Sequence, residues 1–79
     1  MQRASVFSLL DINVSAFLSL HGIQPELKRE GTRVTFVFPA TSEVNDLTRR
    51  YNENTQVPVL DFVSHLRRLR SQMYSARGD

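Results

Sequence analysis

Arg33-Val34-Thr35-Phe36-Val37-Phe38 is the stretch on which the fold turns. It is rich in branched and aromatic residues, follows Gly31 and closes at Pro39, a composition that suits a pleated, half-buried strand and not a helix. Strand alternation puts Val34, Phe36 and Phe38 on one face and Arg33, Thr35 and Val37 on the other. The first face demands an apolar cover, and the rest of the chain reads as that cover.

Immediately upstream, Ile23 to Arg29 reads as the first arm of a hairpin, with Ile23 and Leu27 alternating with polar neighbours. Glu30-Gly31 supplies the turn, since glycine tolerates the positive φ that tight hairpins require. Pro25 has no N–H for a ladder, which places this arm on a sheet edge near its start. Residues Met1 to Phe7 read as a lead-in, and Ser8-Leu9-Leu10-Asp11 has the spacing of a capping box. A first helix is therefore expected from Ser8, with Leu10, Val14, Phe17 and Leu18 as its apolar stripe and His21-Gly22 as its stop.

Downstream, Thr41 or Ser42 caps a second helix that carries Val44, Leu47 and Tyr51 at helical spacing and ends at Asn52-Glu53-Asn54. Thr55-Gln56-Val57 is either an extended link or a third short strand, and Pro58 suits the first turn of a third helix. There Val59, Phe62, Leu66, Leu69 and Met73 recur by three and four, with Val63 beside them, while Asp61, Ser64, His65, Arg67, Arg68 and Ser71 hold the opposite face. Two heptads are too short for a free-standing coiled coil, so this seam is expected to pack on the hairpin, and Ala76 to Asp79 to fray. The fold class is α+β: an antiparallel hairpin covered by three helices, in the order helix, strand, strand, helix, optional third strand, helix. It forms one domain, with an ordered core from about residue 7 to about residue 75.

The quoted residues carry a resemblance. Asp11-Ile12, Val14-Ser15-Ala16-Phe17-Leu18, Gly22 and Arg29 to Phe38, followed by Val57 to Val63, Leu66-Arg67, Leu69-Arg70-Ser71 and Tyr74, resemble a small domain family of unknown function from bacteria and phages. The resemblance spans about Phe7 to Tyr74 and is one of hydrophobics, turns and caps. It implies a fold and boundaries, and with them a bacterial origin, but no activity and no functional residue. This chain departs from the family in its first helix, which is less alanine-rich and ends in His21-Gly22 where Lys-Gly is common.

Seventy-nine residues without a cysteine have neither disulfide nor thiolate metal site to staple them. A chain of this size buries only about 60 to 65% of its unfolded surface, which makes a homodimer a reasonable expectation. Asp11 and Asn13 interrupt the apolar stretch near the N-terminus, so no signal peptide is read, and no apolar run reaches the roughly twenty residues of a membrane span. A soluble, cytoplasmic protein with no membrane contact is expected.

Groups for chemistry are few. Gly22, Gly31 and Gly78 fit no phosphate-binding loop, Lys28 is the sole lysine and belongs to no Walker motif, and His21 and His65 lack partners at metal-ligand spacing. Asp61 and His65 lie four apart with Ser64 alongside, but Ser64 and His65 diverge by about 100° on a helix and make no nucleophile–base pair. No catalytic residue, metal, cofactor or small-molecule substrate is expected. The sequon Asn13-Val14-Ser15 lies inside an expected helix, and Arg77-Gly78-Asp79 reads as a charged tail; both are taken as coincidences.

The charge is more informative in its placement than in its sum. The formal net charge is +2, nine of the ten basic residues are arginine, and Phe62 to Gly78 holds Arg67, Arg68, Arg70 and Arg77 with no acid. Arg67, Arg68 and Arg70 are candidate contacts for an anion or a partner; the plainer reading is a solvated helix face, on which Arg68 adds little to stability. The expected function is a small non-catalytic protein-interaction or dimerisation module, binding another protein or itself, with Arg33, Thr35 and Val37 as the self-association face. The alternative is a nucleic-acid-binding accessory protein that uses the basic last helix, joined by Arg49 and Arg50. Against it, Phe17, Phe36, Phe38 and Phe62 are claimed by the core, Glu43, Asp46 and Glu53 offset much of the charge of Arg49 and Arg50, and the Pro-containing link argues against a helix-turn-helix.

Overall fold

The computed structural model describes residues 5–78 and contains three helices over a three-stranded antiparallel sheet. In chain order the elements are β1 (Val6–Leu9), α1 (Ile12–Leu20), β2 (Glu26–Glu30), β3 (Arg33–Pro39), α2 (Ser42–Asn52) and α3 (Val59–Arg77). The α+β class and the central strand agree with the sequence reading. The order differs in that a strand precedes α1; Thr55 to Val57 joins no sheet, so of its two readings the extended link holds.

Strand β3 lies in the middle, with β1 on one side and β2 on the other. Its Val34, Phe36 and Phe38 are buried, whereas Arg33 is exposed and Thr35 and Val37 half-buried, the alternation expected of a sheet covered on one face. Register extends that face sideways, pairing Phe7 with Phe38, and Leu9 and Leu27 both with Phe36. The hairpin turn is Gly31-Thr32, one residue later than expected, closed by the Glu30–Arg33 pair with Gly31 at φ +65°. Pro25 ends up just before β2, outside the ladder.

The expected capping box at Ser8 is replaced by a strand and a simpler cap. The Asp11 carboxylate accepts from the Asn13 and Val14 amides at 2.8 and 3.4 Å, and this starts α1 at Ile12. Ser8 is thereby free to sit in β1, whose Phe7 and Leu9 face inward while Val6 and Ser8 face out. Leu10, expected on the helix stripe, lies between the two elements and is largely exposed.

Helices α1 and α2 both end in a Schellman arrangement. Gly22, at φ +90°, donates to Ser19 O while Ile23 donates to Leu18 O; Asn54, at φ +62°, donates to Tyr51 O while Thr55 donates to Arg50 O. Thr41 is the α2 cap, accepting from the Val44 amide at 3.1 Å.

Helix α1 is the centre of the molecule. Six consecutive residues, Val14 to Ser19, are buried, so the helix is enclosed on every side and not merely along a stripe. It packs most extensively on α3 and also on α2, while Phe17 meets Tyr51 edge-on at 5.7 Å. In α3, Phe62, Leu66, Leu69 and Met73 face this core as expected. Val59, counted with them in the sequence, does not: it is the first residue after the Pro58 cap and is 70% exposed. The helix lies chiefly against α1, touching β2 and β3 less, and runs through Arg77; Asp79 lies outside the described residues.

Candidate functional site

Helix α3 offers two flanks on either side of its buried seam, and they do different things. The first flank carries Asp61, His65, Arg68 and Gln72. Here His65 Nδ1 lies 2.8 Å from the Ser19 hydroxyl on α1 and 2.9 Å from Arg68 Nη2. Arg68 also donates to Ser19 Oγ at 3.4 Å, and Ser19 Oγ lies 3.0 Å from Gln24 Oε1. A serine hydroxyl has one hydrogen, so Ser19 gives it to Gln24 Oε1 or to His65 Nδ1 and not to both, and the role of Nδ1 follows that choice.

A serine at 2.8 Å from an imidazole invites a catalytic reading. The geometry argues for a structural one. Ser19 is 1% exposed, so no substrate carbonyl reaches its oxygen, and the imidazole nitrogen it meets is shared with a guanidinium where a triad would have a free base backed by an acid. The cluster ties α1 to α3 through polar groups that burial would otherwise leave unpaired. Among the described residues no three His, Asp or Glu side chains gather to hold a metal ion.

The three arginines singled out in the sequence therefore separate. Arg68 stays exposed, as expected of a solvated residue, and in addition reaches Ser19 and His65. Arg67 and Arg70 project from the second flank, both exposed and neither with a hydrogen bond or ion pair among the described residues. Arg49, by contrast, is neutralised where it stands: it pairs with Asp46 one turn back and with Glu53 one turn on, and the Asp46 hydrogen bond above all, with the charges of Asp46 and Glu53, raises its pKa.

The second flank is a stripe of its own. Leu60, Val63, Arg67, Arg70, Tyr74 and Arg77 recur at three and four, the same spacing as the buried seam but rotated by one residue. Leu60 is 83% exposed, the largest value among the big apolar side chains of the described residues, and Val59 lies beside it. Tyr74 is exposed too, with the Arg77 guanidinium 5.0 Å from its ring centroid. No acid stands on this stripe. The repeat is legible in the sequence, but it runs alongside the buried seam, where Val63 reads as the seam's edge and Arg67 as part of the polar face.

Two other surfaces stand out. Phe17, Tyr51, Val57 and Phe62 floor a depression of about 400 Å³ rimmed by Asn52, Asn54 and Thr55, where the loop after α2 passes over α1. On the open face of the sheet, Arg33, Thr35 and Val37 line up as expected, and exposed Val6 pairs in register with Pro39. Thr35 is occupied there in part, donating to Lys28 O at 3.4 Å. Among the described residues no helix is long and apolar enough to cross a membrane.

No curated protein and no solved structure matches this chain. A family model does match, over residues 4–75, which is nearly the whole of it. The chain belongs to the family DUF5659, a domain of unknown function.

Proposed function

We propose that this domain is a non-catalytic protein-binding module that acts through the second flank of α3. One observation carries the reading: Leu60 and Val59, at 83% and 70% exposure, head an acid-free stripe that continues into Arg67 and Arg70. Exposed branched side chains in line with unpaired arginines match the makeup of interfaces, where apolar anchors sit beside guanidinium groups. A cytoplasmic location, suggested by the absence of cysteine, suits such a module.

Site-specific photocrosslinking in the native host tests it. A benzoylphenylalanine at Leu60 is expected to give a discrete protein adduct that disappears when Arg67→Glu and Arg70→Glu are added; the same probe at Ser64 or Gln72 is expected to give none. Adducts independent of the two arginines would sink the proposal.

A second reading, self-association, has its own observation. The open sheet face carries Val6, 63% exposed, beside Pro39 and Val37. Sedimentation equilibrium at tens of micromolar, with Val37→Lys as the control, decides it: a monomer throughout would end the homodimer reading. Nucleic-acid binding keeps Arg67 and Arg70 and gains exposed Tyr74, but it shares Arg68 with the contact to Ser19 and His65 and gives no role to Val59 and Leu60.

A further inference from the structure

We infer that the occupant of this α3 flank is an acidic amphipathic helix of another protein, lying along the stripe with its apolar end on Val59, Leu60 and Val63 and its carboxylates on Arg67 and Arg70. This inference rests on the protein-binding reading above and specifies its partner.

Three features of the flank select that partner. The first is repeat. Positions 60, 63, 67, 70, 74 and 77 follow the three–four alternation that lets one helix seat its side chains between those of another. From Leu60 to Arg77 the stripe is about 26 Å long at 1.5 Å per residue, room for a partner helix of four to five turns.

The second is charge. Arg67 and Arg70 face solvent with no ion pair among the described residues, and no acid stands on the stripe. Arginine forks take carboxylates in bidentate fashion, so Asp or Glu three or four residues apart on the partner would meet both.

The third is what a second copy of this chain would do. In an antiparallel two-fold pairing centred on the stripe, Arg67 of one copy falls against Arg70 of the other, twice; in a parallel pairing, each arginine meets its own counterpart. Like charges in contact across an interface oppose both arrangements. The flank therefore rejects itself and favours an acidic surface. A phosphate backbone would satisfy the arginines as well, but would leave Val59 and Leu60 against a charged, hydrated polymer with nothing to bury them. The order of the stripe, apolar first and basic after, fits a helix whose own sequence changes from leucine-rich to glutamate-rich.

The experiment is an NMR titration of the full chain with synthetic helices. The probe is an 18-residue helical peptide with leucines at its first two seam positions and glutamates at the next two; its controls are a scrambled peptide of equal composition and a version with lysines replacing the seam glutamates. The expected result is saturable amide shifts along 59–77 that strengthen as salt is lowered. Arg67→Glu/Arg70→Glu should weaken binding by about tenfold or more, and the lysine peptide should restore binding to that double variant alone. Leu60→Ser should weaken binding without changing its salt dependence. Equal binding of the scrambled peptide, or no shifts at millimolar peptide, would overturn the inference. So would a mixed-sequence DNA duplex that shifts Arg67 and Arg70 while the peptide does not. Photocrosslinks at Leu60 in the host combined with a silent peptide would mean that the surface binds protein of another chemistry, so failure here is distinguishable from failure of the broader reading.

Discussion

Helices α1 and α3 differ in what surrounds them, and the difference separates the part of this domain that makes the fold from the part available for function. In α1, every residue from Val14 to Ser19 is buried, serines included. In α3, about twice as long, only Leu69 is fully buried, and the helix has a seam, a polar flank that reaches α1 through His65 and Arg68, and a second flank whose Arg67 and Arg70 make no polar contact among the described residues. A helix enclosed on all sides has no surface to offer. A long helix held along one seam and one flank has surface left over, and in a chain of 79 residues that leftover surface is a large share of what a partner can meet.

The comparison can be broken most severely at the core. Phe17→Ala in α1 should cost about 3–5 kcal/mol, as should Phe36→Ala beneath it on β3, against a total stability that for such domains is about 5–15 kcal/mol. Urea unfolding followed by circular dichroism reads the loss; a cost under about 1 kcal/mol at Phe17 would mean that α1 is not enclosed.

Next in size are the polar ties between the helices. Ser19→Ala and His65→Ala should each cost about 1 kcal/mol, because they break hydrogen bonds at a part-buried site. The two should also be non-additive by about 0.5 kcal/mol or more in a double-mutant cycle, since both remove one contact. Strict additivity would mean that the Ser19–His65 contact holds nothing.

Smaller again is the contrast among the arginines. Arg68→Ala should cost about 0.5–1 kcal/mol, reduced by its exposure, while Arg67→Ala and Arg70→Ala should stay within about 0.5 kcal/mol of zero. Midpoints of thermal melts rank the three. Arg67 proving costlier than Arg68 would exchange the two flanks.

Much of the fold was legible because its signals are local. The period of β3, the caps at Thr41 and Asn54, the turn at Gly31 and the seam of α3 each lie within a few residues of sequence. β1 was missed because Val6 to Leu9 is too short to show a convincing alternation and overlaps Ser8-Leu9-Leu10-Asp11, where a cap pattern competes with it; Asp11 alone does the capping. The burial of Ser15 and Ser19 was equally hidden, since serines read as a polar face until α3 closes over them. The contact of Arg68 with Ser19 spans 49 residues, which no spacing rule reaches. Arg67 and Arg70 were visible as candidates from composition, but their separation from Arg68 required α1 to be in place.

A single measurement addresses both halves of the account. It is the ¹⁵N–¹H correlation spectrum of the Arg67→Glu/Arg70→Glu variant, recorded with and without the leucine–glutamate helix. The account predicts a well-dispersed spectrum that overlays the parent outside α3 and does not move on adding peptide, whereas the parent spectrum shifts along 59–77. A collapsed spectrum would show that this flank holds the fold together, and undiminished peptide shifts would show that the arginines do not recognise the partner; either result would contradict the division of α3 into a flank tied to α1 and a flank left for a partner.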